Sequence, residues 1–117
     1  MSKIADSVFS CLQELFPHHN IIKEHYVNYK GVRLFFDFYI RDLGVLIECQ
    51  GAQHTQFVKH YHGTRENFLS QKKRDNLKVE FIEDTHFVLV LFYDNIDAIT
   101  PELVLDRVYA AQCREAE

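Results

Sequence analysis

Apolar side chains recur with a helical period at the start of the chain and then in extended runs. Ser2 is a typical cap for a first helix, and Pro17 ends that helix. Three extended runs predict strands, at residues 21–27, 34–40 and 45–49. The turns between them, at residues 29–31 and 42–44, are short. We therefore expect the three strands to pair as an antiparallel meander.

The second half of the chain predicts a different unit. Residues 53–63 have mixed polarity and are interpreted as a loop or a poorly formed helix start, and Thr64 can cap a stronger helix. Residues 87–93 are continuously apolar, as expected of a strand covered on both faces, and Pro101 begins a last helix. The order α-β-β-β-α-β-α indicates one α/β domain over residues 1–117, in which helices flank a small mixed sheet.

Composition and charge limit the classes of function that we expect of the chain. The chain has 117 residues, 13 basic and 17 acidic side chains and a net charge of −4, so any contact with DNA must be local. Three widely spaced cysteines favour a reducing compartment, and we expect a cytoplasmic protein. The longest apolar run is far below the ~20 residues of a membrane-spanning helix, so no membrane association is expected.

Two acidic residues interrupt the predicted strands. Asp37 lies between two phenylalanines, and Glu48 follows an apolar run 11 residues later. A charge in such a position costs several kcal/mol, roughly, unless it is compensated. The short turn between the strands allows both carboxylates to meet, where they could hold Mg²⁺ or Mn²⁺. The alternative is that both are edge charges that discourage aggregation.

Further polar residues follow the second acid. Gln50 shares the strand face of Glu48, and His54 lies just past the strand end, where it could act as a general base or bind phosphate. Asp75 and Lys78 lie one turn apart on the predicted helix. As an isolated feature, that pair is equally well explained as a solvated ion pair.

Basic side chains concentrate around the same helix. The set that could follow a DNA backbone is Lys59, Arg65, Lys72, Lys73 and Arg74. A solvated helix face explains the helical members equally well. Cys49 with the nearby histidines lacks the paired spacing of zinc sites, so zinc is discounted.

An acid, a hairpin and then Glu48-x-Gln50 resemble the core of the PD-(D/E)XK nucleases. The strings around Asp37, residues 46–54 and residues 61–78 look like the very-short-patch-repair-like branch of that superfamily, and most like small phage proteins related to EDxHD-type homing endonucleases. The resemblance implies a restriction-endonuclease-like fold. It also implies Asp37 and Glu48 as metal ligands, His54 near the scissile phosphate, Asp75 as a supporting polar residue, and Glu24 close to the site.

The function implied is a metal-dependent DNA endonuclease, nicking or structure-selective, in the host cytoplasm if the chain is phage-encoded. Gln50 stands where relatives carry an acid or a lysine, and Lys78 could supply the missing cation from the helix. The alternative is a catalytically degenerate nuclease-like domain that binds nucleic acid or assists assembly. Little chain remains for a recognition module, so specificity would come from a homodimer, a DNA-binding partner protein or the shape of the DNA.

Overall fold

The computed structural model describes residues 2–49, 65–93 and 95–116, without the side chains of residues 65–69, 71 and 114–116. The helices are α1 (Lys3–Leu15), α2 (Arg65–Asp84) and α3 (Pro101–Ala116). The strands are β1 (Ile21–Tyr29), β2 (Val32–Ile40), β3 (Val45–Cys49) and β4 (Val88–Phe92). The predicted loop at residues 53–63 and the predicted cap Thr64 lie outside the described residues. In the part that is described, the predicted order of elements is confirmed.

Two of the predicted helix starts are confirmed by their capping contacts. The Ser2 hydroxyl accepts a hydrogen bond from the Ala5 N–H at 3.1 Å. At α3, Pro101 is the first helical residue, and the Thr100 hydroxyl accepts from the Leu103 N–H at 3.2 Å. Both caps satisfy amide groups that have no partner within the helix.

The four strands form one mixed sheet in the order β1-β2-β3-β4. β1 and β2 are antiparallel, as are β2 and β3, whereas β3 and β4 run parallel. The chain therefore builds a meander and then returns through α2 to add the last strand, as the sequence predicts. The first turn is tighter than predicted, since Tyr29 pairs with Val32 and only Lys30 and Gly31 turn, both at positive φ.

Two apolar clusters cover the two faces of the sheet. The larger, the α1–α3 core, contains Phe38, Ile40 and Ile47 with the buried faces of α1, α3 and β4. The smaller, the α2 core, has four buried residues, and half-buried aliphatic and aromatic side chains surround them. The four are Leu34, Phe36, Leu46 and Phe81. β4 contributes to both clusters, so its predicted burial on two faces is confirmed.

The β1–β2 hairpin changes faces at one step. Phe36 belongs to the α2 core and Phe38 to the α1–α3 core, although simple alternation would put both on one face. Glu24 and Asp37, which lie between, are passed over in the pairing, and Glu24 has φ +51°. The hairpin beyond this step therefore turns its other face to α2.

No helix among the described residues is long and apolar enough to cross a membrane.

Candidate active site

Asp37 and Glu48 lie where the pairing of β2 and β3 ends. The backbone pairing of these strands runs from Ile40 and Val45 to Phe38 and Ile47. At the next step the side chains replace the backbone. The Asp37 N–H donates to Glu48 Oε1 at 3.3 Å, and the Cys49 N–H donates to Asp37 Oδ2 at 2.8 Å. The two acids therefore meet at the strand ends, held in place by each other's strand.

Lys78 of α2 contacts the other carboxylate oxygen of Glu48. Its Nζ lies 2.6 Å from Glu48 Oε2. The side chains are only 14% and 7% exposed, respectively, and Nζ also lies 5.3 Å from the centroid of the Phe36 ring. A buried carboxylate is thus neutralised by a lysine that α2 brings from 30 residues further along the chain.

A cavity of about 430 Å³ opens at this point of the sheet. It is lined by three carboxylates, one ammonium group, one thiol and two aromatic rings, from Glu24, Asp37, Glu48, Lys78, Cys49, Phe35 and Phe36. The two pairing interruptions, between β1 and β2 and between β2 and β3, both lie at its wall. The cavity exists because the strands separate where carboxylates replace backbone partners.

The pKa of the Cys49 thiol reflects the burial and the negative charge of this site. Burial raises the pKa of its thiol well above the ordinary value, and the carboxylates of Asp37 and Glu48 raise it further. The neutral thiol is therefore the favoured form of Cys49 in this cavity. The charges at the cavity wall are therefore those of the carboxylates and of the Lys78 ammonium group.

The donor set fits a hard divalent cation held largely by water. Mg²⁺ commonly takes one or two protein carboxylates, with waters and substrate phosphate oxygens completing its shell. Asp37 and Glu48 supply two such carboxylates at one cavity wall. No group of three or more histidine, cysteine or acidic side chains in residues 2–49, 65–93 and 95–116 is arranged to hold a metal. Among the described residues, the fit is therefore to two carboxylates.

The other predicted site residues separate into three groups. Glu24 lines the cavity, although its side chain is exposed. Asp75 is half-buried on α2 and is not among the lining residues, and Lys72, Lys73 and Arg74 are exposed on that helix. Gln50, His54 and Lys59 lie outside the described residues, as does the side chain of Arg65.

Sequence reasoning missed two features of the site. Phe35 lines the cavity and is 52% exposed, although sequence reasoning assigns it no part in the site. Its position between the core residues Leu34 and Phe36 was the available signal, because neighbours in a strand point to opposite faces. The partnership of Lys78 with Glu48 carries no local signal, since it depends on how α2 packs on the sheet.

Fold and site together define a mixed α/β protein with a paired-carboxylate cavity at the end of its central strands. No family model matches the chain, and no solved structure matches it. Over 54 residues it is 37% identical to Uncharacterized protein 307L of Invertebrate iridescent virus 6, a stretch covering 46% of this chain and 27% of that protein. The match thus spans about a quarter of the viral protein's length, and that protein's name describes no activity.

Proposed function

We propose that the chain is a metal-dependent DNA endonuclease with a PD-(D/E)XK-type fold. The observation that carries the proposal is the paired arrangement of Asp37 and Glu48, each bonded to the other's strand, with Lys78 against Glu48. An acid on each of two adjacent strands with a lysine beside one of them is the residue set that this nuclease core needs. The proposal covers Mg²⁺ or Mn²⁺ as cofactor and DNA as substrate.

The chemistry follows from the position of the charges. Asp37 and Glu48 would hold the cation through carboxylate oxygens that face the cavity. A bound divalent cation lowers the pKa of water and offsets charge on a phosphodiester. Lys78 carries a positive charge at the same wall and can stabilise the negative charge that grows on the phosphate oxygens. Gln50 and His54 stay sequence-based candidates for orienting the attacking water.

Lys78 takes over the role that the resemblance gives to a lysine on the strand itself. In this chain the strand position is occupied by Gln50, whose amide carries no charge. The ammonium group of Lys78 reaches Glu48 at 2.6 Å from the helix instead. The departure from the family pattern is therefore compatible with activity, because the cation is supplied by another element of the same site.

One observation favours the alternative of a nuclease-like binding domain without activity. Lys78 already neutralises Glu48, which lowers the affinity of that carboxylate for a metal ion. In such a protein the ion pair and the hydrogen bonds of Asp37 and Glu48 would serve to hold the cavity together. The nuclease would bind a metal ion and cleave DNA through Asp37 and Glu48, whereas the binding domain would not cleave DNA.

The test uses supercoiled plasmid with Mg²⁺ or Mn²⁺, with and without chelator. We expect metal-dependent nicking or linearisation, and we expect Asp37→Asn and Glu48→Gln each to lower its rate by more than roughly 100-fold. Asn keeps an oxygen that can accept from the Cys49 N–H, so Asp37→Asn removes charge with little change in shape. Calorimetric Mn²⁺ titration of each variant measures metal binding separately.

Asp106→Asn is the matched control, because Asp106 is exposed on α3. Its activity should equal that of the unmodified chain, and circular dichroism should give the same spectrum for all three variants. Full cleavage by both folded site variants would refute the assignment of these carboxylates. Absence of both Mn²⁺ binding and DNA cleavage in the folded, unmodified chain would favour the alternative function.

A further inference from the structure

An exposed aromatic pair lies beside the cavity on the β1–β2 hairpin. Tyr26 and Phe35 are direct cross-strand partners, and their ring centroids lie 5.9 Å apart. They are 55% and 52% exposed, respectively. Their contact stabilises the hairpin as a cross-strand aromatic pair, and about half of each residue stays accessible to a ligand.

The face switch at Asp37 explains why this pair is exposed. Beyond that step, Leu34 and Phe36 turn toward α2 and are fully buried. Their neighbours in the strand, Arg33 and Phe35, must then point to the opposite face, and both are exposed. The Arg33 guanidinium lies 5.7 Å from the centroid of the Tyr26 ring. We call Tyr26, Phe35 and Arg33 the aromatic row.

The aromatic row continues directly into the cavity. Phe35 itself lines the cavity with Asp37, two residues along the same strand. Two strand residues span roughly 7 Å, and Arg33 lies about the same distance further out. That spacing is on the order of one nucleotide step in an extended single strand. A chain of phosphates entering the cavity would therefore carry a base over Phe35 and Tyr26, with a following phosphate near Arg33.

Exposed rings of this kind bind nucleobases only when the bases are accessible. Aromatic side chains stack on unpaired bases in proteins that bind single strands, and arginine adds attraction to both base and phosphate. In a paired duplex the base faces are already stacked on each other. The row therefore selects for DNA with unpaired nucleotides next to the scissile bond.

We propose that the aromatic row binds unpaired nucleotides of DNA beside the cavity, so that the substrate is a single-stranded or locally unpaired DNA segment. This inference rests on the proposed function, since it takes the cavity at Asp37 and Glu48 as the phosphate site. It extends that function from phosphodiester cleavage to a class of DNA. It also supplies a source of selectivity in a chain whose net charge of −4 gives DNA little general attraction.

The experiment measures binding apart from cleavage. Fluorescein-labelled single-stranded DNA and the matching duplex are titrated with the full chain in chelator, where no cleavage is expected. Single strands should bind more tightly than the duplex. The double variant Tyr26→Ala/Phe35→Ala should weaken single-strand binding by about tenfold or more, and the conservative double variant Tyr26→Phe/Phe35→Tyr should retain it.

Tyr109→Ala is the control, because Tyr109 is an exposed aromatic residue on α3. A second readout is direct: 5-iodouracil in the single strand should photocrosslink to Tyr26 or Phe35. Unchanged affinity in the alanine double variant, crosslinks confined to other residues, or no measurable single-strand binding would each overturn the inference. So would a dimer that the double alanine variant dissociates without any change in DNA affinity.

The outcomes separate this inference from the nuclease proposal. Row-dependent binding of single strands, combined with no metal-dependent cleavage of single-stranded, flap or plasmid DNA, would refute the nuclease and keep the row as a DNA-binding surface. Cleavage that requires Asp37 and Glu48 but is identical in the double alanine variant would keep the nuclease and refute the row. Loss of flap cleavage with retained Mn²⁺ binding in that variant would support both.

Discussion

Among the described residues, two lysine–glutamate pairs join α2 to the strands and their turns, and they differ chiefly in burial. At the inner contact, Lys78 of the helix meets Glu48 of β3, with side chains 14% and 7% exposed. At the outer contact the polarity is reversed, since Lys30 of the β1–β2 turn meets Glu80 of the helix. There the side chains are 57% and 40% exposed. The same two residue types thus make one buried and one solvated ion pair within a short stretch of α2.

The difference in burial determines how much each ion pair can contribute to stability. A buried pair loses hydration that its attraction only partly returns, so it is a poor source of net stability. It is strongly coupled, because few water molecules screen it. The exposed pair is screened and contributes little either way. The inner pair therefore positions Glu48 and Lys78 at the cavity without adding much net stability, and the outer pair contributes little to holding α2 on the sheet.

The largest effect should come from breaking the inner pair on one side. Lys78→Met keeps the length and apolar stem of the side chain but leaves the carboxylate of Glu48 buried without its ammonium partner. We expect the free energy of unfolding to fall by about 3–5 kcal/mol, the usual result of removing one member of a buried pair. Urea denaturation at pH 7, followed by circular dichroism, measures it.

The double variant Lys78→Met/Glu48→Gln is the control for this prediction. It removes both charges, so it should recover a large part of the lost stability. If Lys78→Met alone unfolds at the same urea concentration as the unmodified chain, the inner pair is not a closely coupled buried pair. The distinction between the two contacts would then fail.

The sequence predicts one half of this site and not the other. Asp37 and Glu48 could be expected to meet, because a short turn between two adjacent strands leaves little choice of register. The face switch at Asp37 could not be expected, since alternation along residues 34–40 puts all the even positions on one side. It depends on the pairing gap between Glu24 and Asp37, which is a property of the assembled sheet.

The arrival of Lys78 at Glu48 is likewise beyond local reasoning. The helix was predicted from its apolar positions, and its polar residues could be placed on one surface. Which of them meets the sheet depends on how Phe81 of α2 packs against Phe36 of β2. Long-range contacts of this kind carry no signature in the residues on either side, and for that reason Lys78 was predicted only as one possible cation.

A smaller effect should appear at high pH in another exposed contact of α2, between Tyr29 and Asp84. The hydroxyl of Tyr29 donates to Asp84, and this bond is the main reason that the pKa of Tyr29 rises from 10.0 to about 12. A raised pKa in the folded state means that the contribution to stability is complete below pH 10 and is lost as the pH rises through 12. Tyr29→Phe should therefore flatten the decline in stability over this interval.

Tyrosinate absorbance offers a direct check, because the chain has six tyrosines and no tryptophan. The difference between the titrations of the unmodified chain and Tyr29→Phe should show one group ionising near pH 12. The hydrogen bond to Glu80 also raises the pKa of Lys30, so Lys30 contributes to the same pH dependence of stability. Urea denaturation of the unmodified chain and of Tyr29→Phe is therefore repeated in a Lys30→Met background. An ordinary tyrosine titration for Tyr29 would mean that the bond to Asp84 does not persist in solution.

The smallest effect should come from the exposed pair itself. Lys30→Met matches Lys78→Met in chemistry, and an unbranched side chain replaces another at the positive φ of the turn, so the backbone cost is unchanged. We expect a urea midpoint close to that of the unmodified chain, because both partners are solvated and their attraction is screened. Raising the salt concentration should remove whatever difference exists. A loss comparable to that of Lys78→Met would show that burial does not set the strength of these contacts, since burial is the main respect in which the two lysine–glutamate pairs differ.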